Sequence, residues 1–385
     1  MSPRRLVGLD VARCLALLGM VATHVVATTG PDGGLTFAHW LAGGRASALF
    51  AVLAGVSLAL MTGRRVPVRG GERRARSAGL AVRALLIASF GLLLGELDSG
   101  LAVILTYYGL LFLLGLAFVG LRAPVLLALA VAWALLAPVV SQVVRPVLPE
   151  RGYDSPAFGQ LADPGQLLSE LAFTGYYPVV PWLAYLLLGM GIGRLDLGRR
   201  TVRLGLVGVG LAMAVGATVT SRVLLGRPGV AQRLSQELGL PGAGPEGLLR
   251  QTEGGMFGNT PTGGSWDWLL VVAPHSTTPL DLLQTMGSAL VVIGMCLLVA
   301  AALPTFVERV VAIVLGAGTM TLTLYSVHVL LRTELLWPPD EGAYAQHALV
   351  LLAIGAVFVA LERRGPLERL VGAASDRASA LVRPS

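Results

Sequence analysis

Residues 6–26 read LVGLDVARCLALLGMVATHVV, and this stretch decides the fold class. One helix of about 20 apolar residues is long enough to cross a hydrocarbon core of about 30 Å. Similar runs recur along the 385 residues, of which 55% are hydrophobic and 13% charged, whereas soluble domains carry about 25% charged residues. The sequence therefore predicts an all-α, polytopic membrane protein in contact with the lipid bilayer.

Ten apolar segments predict about ten transmembrane helices. The predicted spans are residues 6–26, 46–62, 79–98, 101–121, 124–144, 171–192, 204–225, 282–303, 310–331 and 345–361. The chain has no lysine, so the arginines set the orientation, since cytoplasmic loops carry the excess of positive charge. With the N-terminus inside, 19 of the 29 arginines are cytoplasmic, which predicts that both termini are cytoplasmic and that the protein lies in the cell membrane.

The domain organisation follows from these spans. Residues 1–363 predict one transmembrane domain, in which residues 226–280 form a long extracytoplasmic loop. Residues 364–385 predict a cytoplasmic C-terminal tail, with a short amphipathic surface helix followed by disorder. Trp266 and Trp268 in the long loop are expected either to anchor it at the membrane interface or to belong to an acceptor site.

The first span carries the sharpest functional signal, because ionisable groups inside an apolar helix are costly. Arg13 and His24 are eleven residues apart, so they face the same side of the helix and are separated by about 16.5 Å along its axis. Asp10 lies one turn before Arg13 and is expected to pair with it. Arg13 is thus a candidate binding residue and His24 a candidate base.

Further arginines mark the cytoplasmic side. Arg73 and Arg76 lie in the loop RRVPVRGGERRAR after the second span, and residues three apart on a helix can grip one phosphate. An ordinary positive-inside loop would look the same. Arg83, at the inner end of the third span, completes the candidate set for an anionic ligand.

All five histidines are predicted at or beyond the outer ends of the spans. His39 lies in the loop after the first span, and His328 lies within the ninth span near its outer end. Glu96 and Asp98, at the outer end of the third span, could orient a histidine base, although solvated loop carboxylates are more common. His275 and His347 are weaker candidates on position alone.

Several function classes lack support. There is no nucleotide-binding P-loop, no esterase nucleophile elbow and no H-E-x-x-H helix. Cys14 and Cys296 fall inside separate spans, so neither a disulfide framework nor a metal site is expected. The net charge of +7 is spread over short loops, which does not indicate nucleic-acid binding.

These motifs resemble a known superfamily. The stretch GLDVARCLALLGMVATH and the Arg73-x-x-Arg76 pair resemble the acyltransferase-3 family. The run from GLDVAR through LFAVLAGVSLAL is similar to the heparan-α-glucosaminide N-acetyltransferase and DUF418-like groups of the same superfamily. The stretches PHSTTPLDLLQTMGSALVVIGMCLL, LTLYSVHVLL and RRGPLERL reinforce the DUF418-like character.

The resemblance implies an acyl-CoA-dependent O- or N-acyltransferase without a metal. Acyl-CoA, with acetyl-CoA expected, would bind from the cytoplasm through Arg13, Arg73, Arg76 and Arg83. The acyl group would pass to an extracytoplasmic acceptor, with an envelope carbohydrate expected. His24 would be the base, with Asp98, Glu96 or His328 orienting it. In the heparan-type enzymes the first span ends with Asn and a histidine follows in the loop, so His39 is the alternative base.

Two rival interpretations stay open from the residues. A small-molecule or proton-coupled transporter would use Asp10, Arg13, His24 and His328 as a polar path. A transporter built from repeats should show an interrupted helix in each half, and the sequence does not indicate such a pair. A non-catalytic membrane partner that kept the scaffold is the second alternative.

Overall fold

The computed structural model describes residues 6–149, 151–152, 155–239, 244–333 and 343–383. Helices joined by loops and turns make up these ranges. In its first half the helices are α1 (Val7–Val25), α2 (Phe37–Ala42), α3 (Arg45–Met61), α4 (Gly70–Gly95), α5 (Leu105–Gly115), α6 (Ala123–Val144), α7 (Pro164–Ser169) and α8 (Val179–Gly193). In its second half they are α9 (Arg200–Leu225), α10 (Val230–Glu237), α11 (Pro245–Thr252), α12 (Pro279–Ala302), α13 (Thr305–Val314), α14 (Thr321–Leu331), α15 (Tyr344–Ala360) and α16 (Pro366–Val382).

The prediction of an all-α chain with several membrane-crossing helices is confirmed. Among the described residues, six segments are long and apolar enough to span a bilayer. These segments are Val7–Val25, Phe37–Met61, Gly70–Gly95, Ala123–Val147, Arg200–Leu225 and Pro279–Ala302. A bent pair of helices would make a seventh, and three shorter apolar helices accompany them. The number ten stays a prediction.

Two predicted spans are not continuous helices. The span predicted at 171–192 is interrupted before α8, where a π-helical turn (Glu170–Thr174) meets α8 at a bend of 54°. Gly175 and Pro178 lie in the break, and proline cannot donate the backbone hydrogen bond that would continue a helix. The span predicted at 310–331 is divided into α13 and α14 by a 3₁₀ turn (Gly316–Thr319).

The break between α13 and α14 allows close packing against α1 at Gly318. A Cβ on this residue would lie 1.8 Å from the Asp10 carbonyl oxygen of α1. Only glycine permits this approach, so the turn between α13 and α14 can lie directly against the first helix. The hydropathy pattern could not show this, because both flanking helices are apolar.

The centre of the bundle is α8, whose side chains are almost all buried. It packs closely on α3 through two glycines: a Cβ on Gly55 would lie 2.2 Å from the Leu186 carbonyl, and a Cβ on Gly189 would lie 1.9 Å from the Val52 carbonyl. Such contacts stabilise helix pairs in a bilayer, where lipid tails are as apolar as the side chains. Helices α6 and α9 lie at the periphery, with few buried residues.

The turns separate into two opposite ends of the bundle. At one end, which we call the histidine end, Arg145 after α6 donates to the Thr260 carbonyl at 2.6 Å. At the other, which we call the arginine end, Arg65 after α3 pairs with Asp196 after α8 at 3.1 Å. The five histidines lie at the first end, and the arginine-rich turns after α3, α5 and α8 lie at the second. The predicted grouping of the loops is therefore present, while the assignment of each end to a side of the membrane stays a prediction.

Arg194 joins three helices at the arginine end. It is 4% exposed, and its guanidinium donates to the carbonyls of Ala59, Thr62, Arg64 and Val119 at 2.7–3.0 Å. Its Nη2 also donates to the Thr62 hydroxyl at 2.9 Å. Burial lowers the pKa of Arg194 to about 10, so the group stays charged at neutral pH. A cation suits helix C-termini, where unpaired carbonyls carry partial negative charge.

The C-terminal segment is a 17-residue helix rather than a short helix followed by disorder. Helix α16 lies against α4, where a Cβ on Gly79 would meet Ser375 and Ser379. The Glu368 carboxylate accepts from the backbone N–H of Leu322 at 2.8 Å and of Thr323 at 3.1 Å. These are N–H groups of the first turn of α14, so Glu368 caps that helix from another part of the chain.

The loop predicted at 226–280 contains α10, α11 and a small core of its own. Trp268 is fully buried in that core, and its indole N–H donates to Glu237 at 2.7 Å. The predicted role of Trp268 as an interfacial anchor is therefore wrong, because an anchor must reach the membrane interface, and its membership of an acceptor site stays a prediction. Trp266 is exposed.

We expect Arg194→Met to destabilise the bundle strongly. The substitution leaves buried carbonyls without a donor, and each unsatisfied group costs about 1–3 kcal/mol. Thermal unfolding of the detergent-purified protein should show a clear loss of stability, whereas Arg200→Met, at an exposed position in the same turn, should not change it. Equal midpoints for the two variants would contradict the joining role of Arg194.

Candidate functional site

Arg13 lies in a polar cluster inside the bundle near the arginine end. Its Nη1 donates to Asp10 at 2.8 Å, and its Nη2 donates to the Ser57 hydroxyl of α3 at 2.9 Å. The predicted pair between Asp10 and Arg13 is thus present. Both side chains are largely withdrawn from solvent, at 13% and 21% exposure, so the pairing offsets the cost of placing each charge in an apolar span.

Arg13 shares a cavity with Arg83, another predicted ligand-binding residue. The cavity has a volume of about 110 Å³ and is also lined by Ser57, Tyr108 and Thr321. Two guanidiniums at one small cavity favour an anionic or strongly polar group. Neither Arg73, Arg76 nor His24 is among its lining residues.

Arg73 and Arg76 lie at the start of α4, as predicted, but contact different helix ends. Arg73 donates weakly to the Ala117 carbonyl at 3.4 Å. Arg76 donates to the Met61 carbonyl at 2.5 Å and pairs with Glu72 at 2.8 Å. Each guanidinium is partly used by these contacts, so a joint grip on one phosphate requires both side chains to turn and stays a prediction.

Three histidines from three helices form a hydrogen-bonded chain at the histidine end. His24 Nδ1 lies 3.0 Å from His328 Nε2, and His328 Nδ1 lies 3.1 Å from His347 Nδ1. The planes of His24 and His328 differ by only 7°. His328 is fully buried and His347 nearly so, while His24 is partly exposed. The structure therefore brings the predicted His24 and His328 together and adds His347.

The two hydrogen bonds couple the tautomers of the three rings. A neutral imidazole has one N–H and one lone pair. If His24 Nδ1 donates to His328 Nε2, then His328 Nδ1 carries the hydrogen and donates to His347, and His24 Nε2 keeps its lone pair. In this arrangement His24 is a base whose ring is held in place by its neighbours, which is the function that a carboxylate performs in many enzymes.

His39 is held differently from His24. Its Nε2 lies 3.0 Å from the Val26 carbonyl. A carbonyl only accepts, so Nε2 carries the hydrogen and Nδ1 is the basic atom of a neutral ring. Both candidate bases thus have one nitrogen fixed and one available, and the choice between them stays open.

His275 is a residue whose prominence sequence position alone did not reveal. Its ring centroid lies 4.8 Å from Tyr176, 5.6 Å from Tyr177 and 6.3 Å from Trp182. Removal from water lowers the pKa of His275 to about 3, and the nearby His24 adds to the effect. Its φ of 56° is in the left-handed region, which costs energy for a residue with a side chain and occurs often at functional sites.

Asp98 and Glu96 line a different cavity at the histidine end. This outer cavity has a volume of about 820 Å³, and its walls also include Tyr107, Glu170 and Tyr176. Glu96 accepts from the Phe158 backbone N–H at 2.7 Å, so it holds a loop. The described hydrogen bonds and ion pairs join neither carboxylate to a histidine. Orientation of the base by Asp98 therefore stays a prediction, and His328 is the group found beside His24.

The arrangement defines a class of protein: a helical membrane bundle with an arginine-lined cavity near one end and a histidine chain at the other. The heparan-alpha-glucosaminide N-acetyltransferase catalytic family model matches residues 5–227. That match covers more than half of the chain, and the protein belongs to this family, which supports a membrane acetyltransferase-type function. A comparison with curated proteins gave no significant match.

The matched range contains His24, His39, Asp98 and all four predicted binding arginines, Arg13, Arg73, Arg76 and Arg83. His275, His328 and His347 lie beyond it. The first helix therefore comes from the family-matching part of the chain, while two of the three rings in the histidine chain come from the remainder. In the described residues, no group of three or more His, Cys, Asp or Glu side chains is arranged to hold a metal ion.

The low pKa of His275 predicts a pH dependence of stability. The unfolded chain binds a proton near pH 6.5, whereas the folded protein does so only near pH 3. The stabilising contribution is therefore complete above pH 6.5 and is lost as the pH falls toward 3, by at most about 1.4 kcal/mol per pH unit. His275→Phe keeps an aromatic ring and removes the titration, so its unfolding midpoint should fall less than that of the native protein between pH 6.5 and pH 4.5. Parallel pH profiles would contradict the assignment.

Proposed function

We propose that this protein transfers an acetyl group from cytoplasmic acetyl-CoA to an extracytoplasmic acceptor, with a sugar of the cell envelope as the expected acceptor. Family membership supports the acetyltransferase class. The observation that carries the proposal is the placement of Arg13 and His24 on one face of α1, one beside the Arg83 cavity and the other in the histidine chain.

The charge of the Arg13–Arg83 cavity supports binding of the donor, but the cavity is too small to enclose the whole donor. Arg13 and Arg83 line a cavity of about 110 Å³, which is smaller than the 300–1,000 Å³ typical of a site that encloses a whole ligand. It suits one polar or anionic part of acetyl-CoA. Arg73 and Arg76, exposed or half-exposed at the start of α4, are proposed to contact the phosphates outside the cavity.

The ring nitrogens of His24 and His39 support the proposed reaction at the acceptor, because each can serve as a base. In the transfer, the bond between the acetyl carbon and the CoA sulfur breaks, and a bond to an acceptor oxygen or nitrogen forms. The acceptor proton passes to His24 Nε2 or to His39 Nδ1, and the resulting imidazolium returns that proton to the CoA sulfur, so CoA leaves as the thiol and the base is neutral again. General base assistance of this kind contributes about 10²–10⁴ in rate.

His328 and His347 are proposed to hold the base in its active tautomer. Both are buried, and a buried imidazolium is unfavourable because desolvation penalises the charged form. The proton taken from the acceptor is therefore not passed on to His328 or His347. In this scheme His24 is the base, and His328 is a positioning residue that orients it.

Among the described residues, none of the three chain histidines lines the Arg13 cavity. Arg13 and His24 are about 16.5 Å apart along α1. Transfer therefore requires the bundle to open between them, and the break between α13 and α14 lies beside α1 where such a movement could occur.

A transporter is the second candidate function, because the structure contains two interrupted helices that the sequence did not indicate. Apolar helices are interrupted at residues 175–178 and again at the 3₁₀ turn Gly316–Thr319. Interrupted helices are typical of transporter substrate sites. The acetyl-CoA experiments below separate the two functions.

The central test measures acetyl transfer by the full chain in lipid nanodiscs, with the release of CoA and the labelling of an acceptor from radioactive acetyl-CoA as readouts. We expect His24→Ala to lower kcat by about 10²-fold or more, since it removes the base. His39→Ala serves as the matched variant and identifies the base: whichever substitution has the large effect marks it. Native-level activity in both variants would contradict a histidine base.

Donor binding is measured in the same nanodiscs by titration with acetyl-CoA. Arg73→Ala combined with Arg76→Ala should weaken binding, while Arg200→Ala, at an exposed position of the arginine end, should not. Absence of acetyl-CoA binding to the native protein would contradict the acetyltransferase proposal and favour the transporter.

A further inference from the structure

An apolar groove lies along the surface of the bundle beside the histidine end. It has a volume of about 600 Å³ and is formed by α1, α2, α3, α9 and α12. Its lining is dominated by aliphatic side chains such as Leu15, Leu18, Leu41, Leu49 and Leu211. Leu15, Leu41 and Leu211 are 44–55% exposed, so the groove is open on the side where the bilayer would lie.

A second cavity of about 190 Å³ adjoins the groove, and we call it the polar cavity after the charged and polar side chains among its mainly apolar walls. Among its lining residues are His39, Arg45, Asp281, Gln284 and Thr285. Arg45 lines both the groove and the cavity, so the two spaces meet at this side chain. The polar cavity therefore continues an apolar surface into a site with hydrogen-bond donors, acceptors and a candidate base.

Helix α2 separates the two spaces and faces each with a different set of side chains. Phe37, Ala38, Leu41 and Ala42 line the groove, whereas His39 and Trp40 line the cavity. Residues at spacings of three and four share one side of a helix, as Ala38 and Leu41, and Phe37 and Leu41, do here. This short helix thus presents an apolar face to one space and an imidazole to the other.

From this juxtaposition we infer that the acceptor is a membrane-embedded amphiphile, in which one hydrocarbon chain lies in the groove and the polar head lies at His39 and Arg45. The inference rests on the proposed acetyl transfer and names the class of acceptor: a lipid-linked hydroxyl or amine compound rather than a free sugar. Such a compound reaches the cavity sideways from the bilayer and brings its head next to a base without leaving the membrane.

The size of the groove agrees with one chain. Its volume of about 600 Å³ lies within the 300–1,000 Å³ range of ligand sites. Each methylene moved from water into an apolar environment contributes about 0.8 kcal/mol, and lipid tails are as apolar as the groove, so the chain keeps the compound at the membrane while the groove aligns its head with the cavity. The head then needs only a few polar contacts, which is what the small cavity offers.

The test uses two variants of neighbouring residues on α9. Ala214 lines the groove and Val215 does not. Ala214→Trp places an indole in the groove, while Val215→Trp adds the same side chain on the exposed outer surface of the helix. The probes are dodecyl β-D-glucoside and methyl β-D-glucoside, offered as acceptors with acetyl-CoA in nanodiscs, and a dodecyl glucoside with a photoactivatable group on its chain.

We expect the chain-bearing glucoside to be acetylated with a kcat/KM at least about tenfold above that of the methyl glucoside, because moving two methylenes from water into the bilayer or the groove already corresponds to such a factor. Ala214→Trp should reduce this advantage and the photolabelling of α1 and α2, because it removes the part that depends on the groove, and Val215→Trp should keep both. Equal acetylation of the two glucosides, or an unchanged preference in Ala214→Trp, would overturn the inference while leaving the acetyltransferase function intact.

A second arm separates this site from an ordinary lipid surface. A photoactivatable phosphatidylcholine should label the groove less than the glucoside probe does, and equal labelling would overturn the inference. Failure of the native protein to bind acetyl-CoA or to release CoA, with the photolabelling retained, would instead contradict the proposed function. The two failures are therefore distinguishable.

Discussion

Helix α1 must bury an arginine near one end and a histidine near the other, and much of the structure satisfies those two groups. An ionisable side chain in an apolar span costs several kcal/mol unless it is paired. Asp10 and Ser57 pair with Arg13, and His328 pairs with His24. To supply these partners, α3 and α14 must lie directly against α1, which fixes the position of the first helix in the bundle.

The partners of Arg13 and those of His24 are chemically different. Arg13 has a carboxylate and a hydroxyl, so its charge is retained and largely neutralised. His24 has only another imidazole, and that ring in turn has only His347. Among their described hydrogen bonds no carboxylate reaches these rings, so the three histidines favour neutral imidazoles whose tautomers depend on one another. The proposed acyl transfer uses this asymmetry, with a fixed cation for the polyanionic donor and neutral bases for the acceptor.

Much of the fold could be predicted from the sequence because it depends on hydropathy. The spans at 46–62, 124–144, 282–303 and 345–361 agree within a few residues with α3, α6, α12 and α15. The breaks within 171–192 and 310–331 could not be predicted in this way, because the residues on both sides are apolar and the cause is close packing at glycine and proline. The cap that Glu368 gives α14 was also hidden, since it joins residues 45 positions apart.

For the candidate site, sequence spacing predicted which residues of one helix face the same way. It could not predict contacts between residues of different helices. The spacing of Arg13 and His24 indicated a common face, and the pair of Asp10 with Arg13 followed from one helical turn. The contact of His24 with His328 spans 304 positions, and that of His328 with His347 crosses a segment with no sequence signal. His275 was ranked low because a loop histidine is usually solvated, whereas its aromatic surroundings arise only from the folded chain.

The proposed direction of acetyl transfer depends on the histidine end facing outward and the arginine end facing the cytoplasm. Single-cysteine labelling with a membrane-impermeant maleimide on intact cells tests this directly, using Asp32→Cys in the exposed turn after α1 and Arg199→Cys at a 70% exposed position before α9. Cys14 and Cys296 lie within helices, and the native chain reports their background. We predict that Asp32→Cys is labelled in intact cells and that Arg199→Cys is labelled only after permeabilisation. The reverse pattern would contradict the direction of transfer and, with it, the proposed use of cytoplasmic acetyl-CoA.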